Sequence, residues 1–194
     1  MEHLEPRLVL SPIISEYLGL LDNLGLVLHF APDNPFPGIP RGTDHDDFVV
    51  QAKGILHVPA TDAWTFGVNS DDGFRLRITG ATFNAAYGQS GTTASGDTLE
   101  FSAPRAPNDS FGVIDSLAEG DYNVELISYE RGGGSDTELF AAAGANTSWN
   151  GNFRLVGDTA SGGLAVLSEP FGGSGSSSAF AGHGRADRFP GDRV

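Results

Sequence analysis

The feature that most constrains this sequence is a series of short segments in which apolar and polar residues alternate. In FRLRI, residues 74–78, the Phe, Leu and Ile fall on one side of an extended chain and both Arg on the other. Successive side chains point to opposite faces of a β-strand, so this pattern predicts a strand with one buried face. Similar runs, separated by Gly- and Asp-rich turns, fill residues 48–167. The sequence therefore predicts an all-β protein folded as an antiparallel β-sandwich.

The chain of 194 residues divides into three zones by composition. Residues 1–47 mix short apolar runs with a turn-rich stretch, and their strands lead into the sandwich or form a separate cap. Residues 48–167 hold nearly all the strand patterns and are the predicted β-sandwich. Residues 168–194 contain GGSGSSS, which is costly in backbone entropy to order and has no apolar side chain to pack. We expect a flexible tail there.

The charge balance narrows the class of partner. The chain has 11 Lys and Arg against 25 Asp and Glu, a formal net charge of −14. A surface this negative repels phosphate backbones and anionic membranes, so we expect no nucleic-acid partner. It attracts cations, and oxygen-rich sites select hard cations such as calcium.

Two absences exclude further classes of site. The sequence has no cysteine, which excludes disulfide bonds, thiolate zinc sites and a cysteine nucleophile. It also has no apolar run of about 18 residues, so no membrane span is predicted. The first residues do not resemble a standard signal peptide, because Glu2 and Glu5 stand where positive charge is expected.

The densest polar signal lies in NSDDGFRLRITG, where residues 69–73 form a turn between two predicted strands. The adjacent carboxylates of Asp71 and Asp72 repel each other unless a cation lies between them. To converge on one ion, the Asp71–Asp72 backbone must leave regular strand geometry, and a cis peptide bond would achieve this. The alternative is an ordinary turn with solvated carboxylates, since Asp and Gly are favoured turn residues.

A second signal is YERGGGSDTELF, residues 129–140. Its three consecutive glycines, 132–134, allow backbone carbonyl groups to approach an ion or a ligand closely. Asp136 follows and could add a carboxylate. The alternative is a hairpin loop that only requires positive φ angles.

Both signals occur within a longer pattern. GILHVPATDAWTFGVNSDDGFRLRITG is followed by GDYNVELISYERGGGSDTELFAAAG. The order of an aromatic strand, a Ser-Asp-Asp-Gly turn, an Arg/Leu strand and a later Gly-rich loop resembles the protective-antigen-type β-sandwich domain. That domain is named for the anthrax toxin component and recurs in bacterial adhesins, glycosidases and yeast flocculins. The resemblance covers about residues 48–167.

This resemblance implies a specific site. In lectin members of the family, two consecutive aspartates joined by a cis peptide hold calcium, a second loop completes the shell, and vicinal sugar hydroxyls bind the ion. Asp71 and Asp72 match the aspartate pair. The matching second loop supplies Gly133, Gly134, Ser135 and Asp136. The resemblance thus implies metal ligands at Asp71, Asp72 and Asp136. The residues implied to contact the bound ligand are the aspartate pair and the four loop residues: Asp71, Asp72, Gly133, Gly134, Ser135 and Asp136. Flocculin-like members place an asparagine in this loop, whereas residues 131–138 contain none.

The function implied by the resemblance is a calcium-dependent carbohydrate-binding module of an exported bacterial adhesion or surface protein. Its partner would be a glycan or polysaccharide. The alternative is a structural spacer that binds no sugar, or an accessory module of a secreted protein. Either would equally explain the acidic surface and the turn chemistry.

Two further expectations concern location and catalysis. HLEPRLVLS, residues 3–11, is similar to the LEPR-plus-leucines motif of large bacterial surface proteins, which implies a secreted or cell-surface location. Glycosidase chemistry would require Glu125, Glu130 or Glu138 to act as catalytic carboxylates together with Asp71 or Asp72. Nothing in the sequence places any two of these groups at a useful separation, so we expect no enzyme.

Overall fold

The computed structural model describes residues 7–10, 29–30, 35–36, 39 and 45–167. The predicted tail, residues 168–194, lies outside the described residues, as does most of the LEPR motif. Among the described residues we find no helix with the length and hydropathy that crossing a bilayer would require.

The described chain is built from short strands and one 3₁₀ turn at Thr159–Ser161. The strands are β1 (Arg7–Leu10), β2 (Phe48–Val58), β3 (Asp62–Asp71), β4 (Phe74–Ile78), β5 (Ala85–Gly88), β6 (Thr93–Ser95), β7 (Thr98–Phe101), β8 (Asn108–Leu117), β9 (Gly120–Glu130), β10 (Asp136–Ala143), β11 (Arg154–Leu155) and β12 (Val166–Leu167).

These strands form two sheets. The first has the order β1-β2-β9-β4-β7-β6, with β12 also paired to β2, and the second has the order β11-β10-β3-β8-β5. The β1–β2 pairing is parallel, and the other pairings are antiparallel. The predicted antiparallel β-sandwich is confirmed.

The main core lies between the two sheets. Strand β4 alternates buried and exposed residues along its whole length, as the FRLRI pattern predicted. Its buried residues Phe74, Leu76 and Ile78 share one apolar cluster with Phe66 and Val68 of β3 in the opposite sheet. Burial of such side chains is the main stabilising contribution to a sandwich of this kind.

The second sheet is also covered on its outer face. Phe111, Phe140, Ala142 and Phe153 form a separate buried cluster, against which Phe30 and Trp149 pack. Strand β3 is consequently buried on both faces along most of its length. Sequence alternation missed this, because the covering residues come from distant segments of the chain.

Parts of the N-terminal zone contact both sheets. Strand β1 adds to the edge of the first sheet through β2. On the second sheet, Glu138 accepts hydrogen bonds from the backbone N–H groups of His29 (3.1 Å) and Phe30 (3.0 Å). The described residues of this zone therefore lie against the sandwich at both sheets.

Candidate metal site

Three carboxylates converge where β3 and β9 end. Asp71 is the last residue of β3, Asp72 follows it, and Glu130 is the last residue of β9. One carboxylate oxygen from each residue lies within 4.8 Å of the other two. The Asp71–Asp72 peptide bond is cis, as predicted for a pair of neighbouring aspartates that converge.

Backbone hydrogen bonds hold the aspartate turn against β9. The Asp72 N–H donates to the Tyr129 carbonyl oxygen (3.1 Å), and the Tyr129 N–H donates to the Gly73 carbonyl oxygen (3.1 Å). A Cβ atom on Gly73 would lie 2.7 Å from the carbonyl oxygen of Phe101. Glycine is therefore required here by a close backbone approach, and the turn is fixed next to Glu130.

Asp72 is buried and connects two loops. Its Oδ1 accepts a hydrogen bond from the backbone N–H of Arg105 (2.8 Å), and its Oδ2 accepts one from the backbone N–H of Arg131 (2.9 Å). The residue is 5% exposed. The alternative of a turn with solvated carboxylates is thus wrong for Asp72.

Glu130 is the site residue that the sequence analysis did not assign to a metal. It is 2% exposed, and its Oε1 accepts a hydrogen bond from the Gly132 N–H (2.5 Å). Its Oε2 is buried and has no hydrogen-bond partner among the described residues. The signal that could have found it is the alternation of β9, in which Val124 and Leu126 face the core and Glu130 continues the same face.

The mutual proximity of these carboxylates affects their protonation. Burial, followed by the charge of Asp72, raises the pKa of Asp71 to about 6, and Arg105 partly opposes this rise. Burial raises the pKa of Glu130 to about 7, with further contributions from the charges of Asp71 and Asp72. Keeping all three groups ionised costs free energy, which a bound cation would offset.

The second loop begins with exposed glycines and ends in buried residues where β10 starts. Gly133 is exposed, and Gly134 is partly buried. Gly133 has a φ of +99°, which is the positive φ that an ordinary hairpin loop would also require. Ser135 is buried, and its Oγ has no hydrogen-bond partner among the described residues. Asp136 is fully buried and lies opposite Asp71 in the β3–β10 pairing. It is not one of the three carboxylates that converge.

A half-buried arginine adjoins the acidic residues. Burial lowers the pKa of Arg105 to about 10, while the charges of four carboxylates raise it, those of Asp136, Asp109, Asp71 and Asp72. The site therefore contains its own positive charge beside its negative charges.

Together, the fold and site define a β-sandwich module with an acidic cluster, made of hard oxygen donors, at one end. The PA14 domain matches residues 38–152, more than half of the 194 residues. The chain belongs to the PA14 domain family, and the predicted resemblance to the protective-antigen-type domain is confirmed. PA14 domains are often carbohydrate-binding modules in surface or secreted proteins.

Among solved structures, the chain is similar to the crystal structure of the PA14 domain of MpAFP antifreeze protein, with 17% sequence identity and a TM-score of 0.36. The similarity covers 67% of this chain and 60% of that one. Comparison with curated proteins gave no match.

Proposed function

We propose that this chain is a calcium-dependent carbohydrate-binding module of an exported bacterial surface protein, with no catalytic activity. The observation that carries the proposal is the convergence of the Asp71, Asp72 and Glu130 carboxylates. The buried Oε2 of Glu130, which has no hydrogen-bond partner among the described residues, supports cation binding at this position. A buried oxygen of this kind is costly unless something binds it.

The donor set favours calcium. Calcium takes six to eight oxygen ligands, which include carboxylates and backbone carbonyl groups. Asp71, Asp72 and Glu130 would hold the ion, and the exposed backbone at Gly133 lies in the adjoining loop. A bound calcium ion would supply a Lewis-acidic anchor for sugar hydroxyl groups.

The chain's own residues have distinct parts in this proposal. Asp72 ties the site to two loops through its hydrogen bonds with the Arg105 and Arg131 amides. Asp71 is only partly buried and so lies between the interior and the solvent. The exposed loop residues 131–133 form the surface that a glycan would contact.

We propose no catalytic step. In glycosidases two carboxyl groups flank the scissile bond, about 5 Å or more apart, with the sugar between them. Here the carboxylates are packed against one another and partly withdrawn from solvent, which suits an ion better than a sugar ring. Membership of a family of binding modules in surface or secreted proteins supports the proposed location.

Calcium binding is tested by thermal unfolding and calorimetric titration with calcium and with a chelator. Calcium should raise the unfolding midpoint of the wild type, because a ligand that binds only the folded state stabilises it. Glu130→Gln should abolish most of this increase. Asp115→Asn, which removes an exposed carboxylate from β8, is the matched control and should behave as the wild type. An equal midpoint with calcium and with chelator would sink the calcium proposal.

Carbohydrate binding needs a separate test. A glycan array probed with calcium present should show reproducible binding that is lost with chelator and in Glu130→Gln. Binding that persists unchanged in the chelator would contradict the proposed role of the ion. Release of free sugar from a bound polysaccharide would contradict the absence of catalysis.

A second candidate, a structural spacer, is favoured by one observation. Both oxygens of Asp72 already accept backbone hydrogen bonds from two different loops, so this aspartate can stabilise the fold without an ion. The two candidates differ in outcome, since a spacer would show no glycan binding even when calcium is present.

A further inference from the structure

A half-buried arginine side chain contacts the aspartate turn. Arg105, in the loop between β7 and β8, donates from Nη2 to Ser70 Oγ (2.7 Å), from Nε to the Ser70 carbonyl oxygen (3.0 Å) and from Nη1 to Ser110 Oγ (2.8 Å). Its guanidinium carbon lies 4.4 Å from the centroid of the Phe101 ring. Neutral oxygens and an aromatic face therefore hold this positive charge in one position.

The same residue contacts the site through its backbone. The Arg105 N–H donates to Asp72 Oδ1 (2.8 Å), and the guanidinium binds Ser70, which immediately precedes Asp71. Ser70 Oγ in turn donates to the Asp72 carbonyl oxygen (2.8 Å). Arg105 thus contacts the aspartate turn through both its backbone and its side chain.

Other arginines of the described chain carry their charge differently. Arg77 pairs with Asp97 (2.8 Å) and Arg75 with Glu125 (3.5 Å) on the exposed face of the first sheet. Water and salt screen such surface pairs strongly. Arg105 is only partly exposed and is held among buried groups, so its charge acts on its neighbours with less screening.

A fixed charge beside an ion site has two electrostatic consequences. It attracts the carboxylates, which offsets their mutual repulsion when no cation is bound. It also repels a bound cation in proportion to the charge of that cation, so a trivalent ion is penalised more than a divalent ion.

We propose that Arg105 is a positioning residue and fixed countercharge, which holds the Asp71–Asp72 turn when no ion is bound and makes the site prefer divalent to trivalent cations. This inference rests on the cation binding proposed above.

The test compares two ions of similar size and different charge. Dissociation constants of Ca²⁺ and La³⁺ are measured by calorimetry in the wild type, Arg105→Gln and Arg105→Lys. In Arg105→Gln the ratio of the calcium to the lanthanum dissociation constant should rise at least about threefold, because the trivalent ion gains more from loss of the repulsion. Arg105→Lys keeps the charge and should retain the wild-type ratio.

This ratio separates charge from structure. A purely structural role would change both affinities by the same factor and leave their ratio unchanged. Arg77→Gln is the control, because Arg77 is an exposed arginine that pairs with Asp97 (2.8 Å) on the first sheet, outside the site. We expect its ratio to remain close to that of the wild type.

A second variant covers the case in which Arg105→Gln does not fold. Ser110→Asp places a carboxylate against Nη1 of Arg105, which neutralises the guanidinium with the arginine still present. It should shift the ratio in the same direction as Arg105→Gln. With a chelator, Arg105→Gln should also unfold at a lower temperature than Arg105→Lys.

The outcomes distinguish this inference from the proposed function. If the wild type binds both ions and neither neutralising variant changes the ratio, the role of Arg105 is refuted and the metal site stands. An equal change in Arg105→Lys and Arg105→Gln would also refute it. If the wild type binds neither ion, the metal site and this role of Arg105 both fail.

Discussion

Glu130 and Glu138 are both buried, but they differ in how many of their carboxylate oxygens accept hydrogen bonds. Glu138 lies on β10, and both of its oxygens accept backbone N–H groups, those of His29 and Phe30. Glu130 ends β9, and it has one oxygen bonded to Gly132 and one that is buried without a hydrogen-bond partner among the described residues. Burial raises the pKa of both. Burial alone therefore does not identify a candidate metal ligand, whereas an unsatisfied buried oxygen beside other carboxylates does.

The surroundings of the two residues reinforce this contrast. Glu138 lies in a row with Asn69 and Asp109 across the second sheet, where Asn69 donates to Asp109 (2.7 Å) and His29 Nε2 lies 2.9 Å from Asp109. Asp109 and both oxygens of Glu138 thus have partners within the protein, whereas Asn69 Oδ1 is buried with no hydrogen-bond partner among the described residues. Around Glu130, in contrast, the neighbouring charges are two further carboxylates.

We expect the greatest loss of stability when the side chain of Glu138 is removed. Glu138→Ala should lower the free energy of unfolding by about 4 kcal/mol, because two N–H groups lose their acceptor and each costs about 1–3 kcal/mol. Glu130→Gln should cause no such loss in chelator, since the amide oxygen can still accept from Gly132. Urea unfolding measures both, with the exposed Glu119→Gln as control. A larger loss for Glu130→Gln would reverse the assigned roles.

The next effect concerns pH in the absence of metal. The pKa of Glu130 is about 7 in the folded protein, against about 4.3 in an unfolded chain. The folded state therefore binds this proton more tightly, so the stability contributed by Glu130 is complete below about pH 4 and is lost as the pH rises towards 7. Between those values the wild type should lose about 3 kcal/mol relative to Glu130→Gln.

Urea unfolding of both proteins at several pH values, always with chelator, measures that difference. Contributions of carboxylates distant from Glu130 cancel in the comparison, whereas Asp71 and Asp72 titrate together with Glu130 and are part of the measured difference. Parallel stability profiles for the two proteins would show that Glu130 titrates as an ordinary exposed glutamate.

A slightly smaller change in stability is expected when calcium is added. At a free calcium concentration of about 100 times its dissociation constant, the wild type should gain about 2.7 kcal/mol of stability. Glu130→Gln should lose most of that gain, whereas Glu138→Gln should keep it, because Glu138 is not among the converging carboxylates. Thermal unfolding with calcium and with chelator distinguishes the two variants. Equal losses in both would mean that the two glutamates act on the ion alike.

The smallest effect concerns Asp71. Its pKa is raised to about 6 by burial and by Asp72, so Asp71→Asn should relieve repulsion in the metal-free protein. Because the side chain is only partly buried, we expect a gain of about 1 kcal/mol or less. Chemical unfolding in chelator measures it, and the same variant should bind calcium more weakly. A clear loss of stability without metal would contradict this assignment of charge repulsion.

Local patterns were sufficient for much of the fold. Alternation in FRLRI predicted the buried and exposed faces of β4, because that pattern depends only on the geometry of one strand. Adjacent aspartates in a short turn predicted the unusual backbone at Asp71–Asp72. The proposed metal ligand Asp136 stays a prediction, since it lies opposite Asp71 but outside the three converging carboxylates.

Tertiary contacts decided the remainder of the site. The choice of Glu130 as third carboxylate depends on the contact of β9 with the aspartate turn, and Asp72 binds the Arg131 amide across 59 residues of sequence. The position of Arg105 depends likewise on a loop that crosses to Ser70, 35 residues away. Neither contact follows from local periodicity.

The strand pattern, the acidic character and the aspartate pair can all be read from the amino-acid sequence, because each is a property of local sequence or of composition. The sequence does not show which oxygen atoms face one another, or which buried glutamate already has hydrogen-bond partners. Burial and hydrogen bonding depend on which strands and loops come into contact, and those contacts are set by the packing of the whole sandwich.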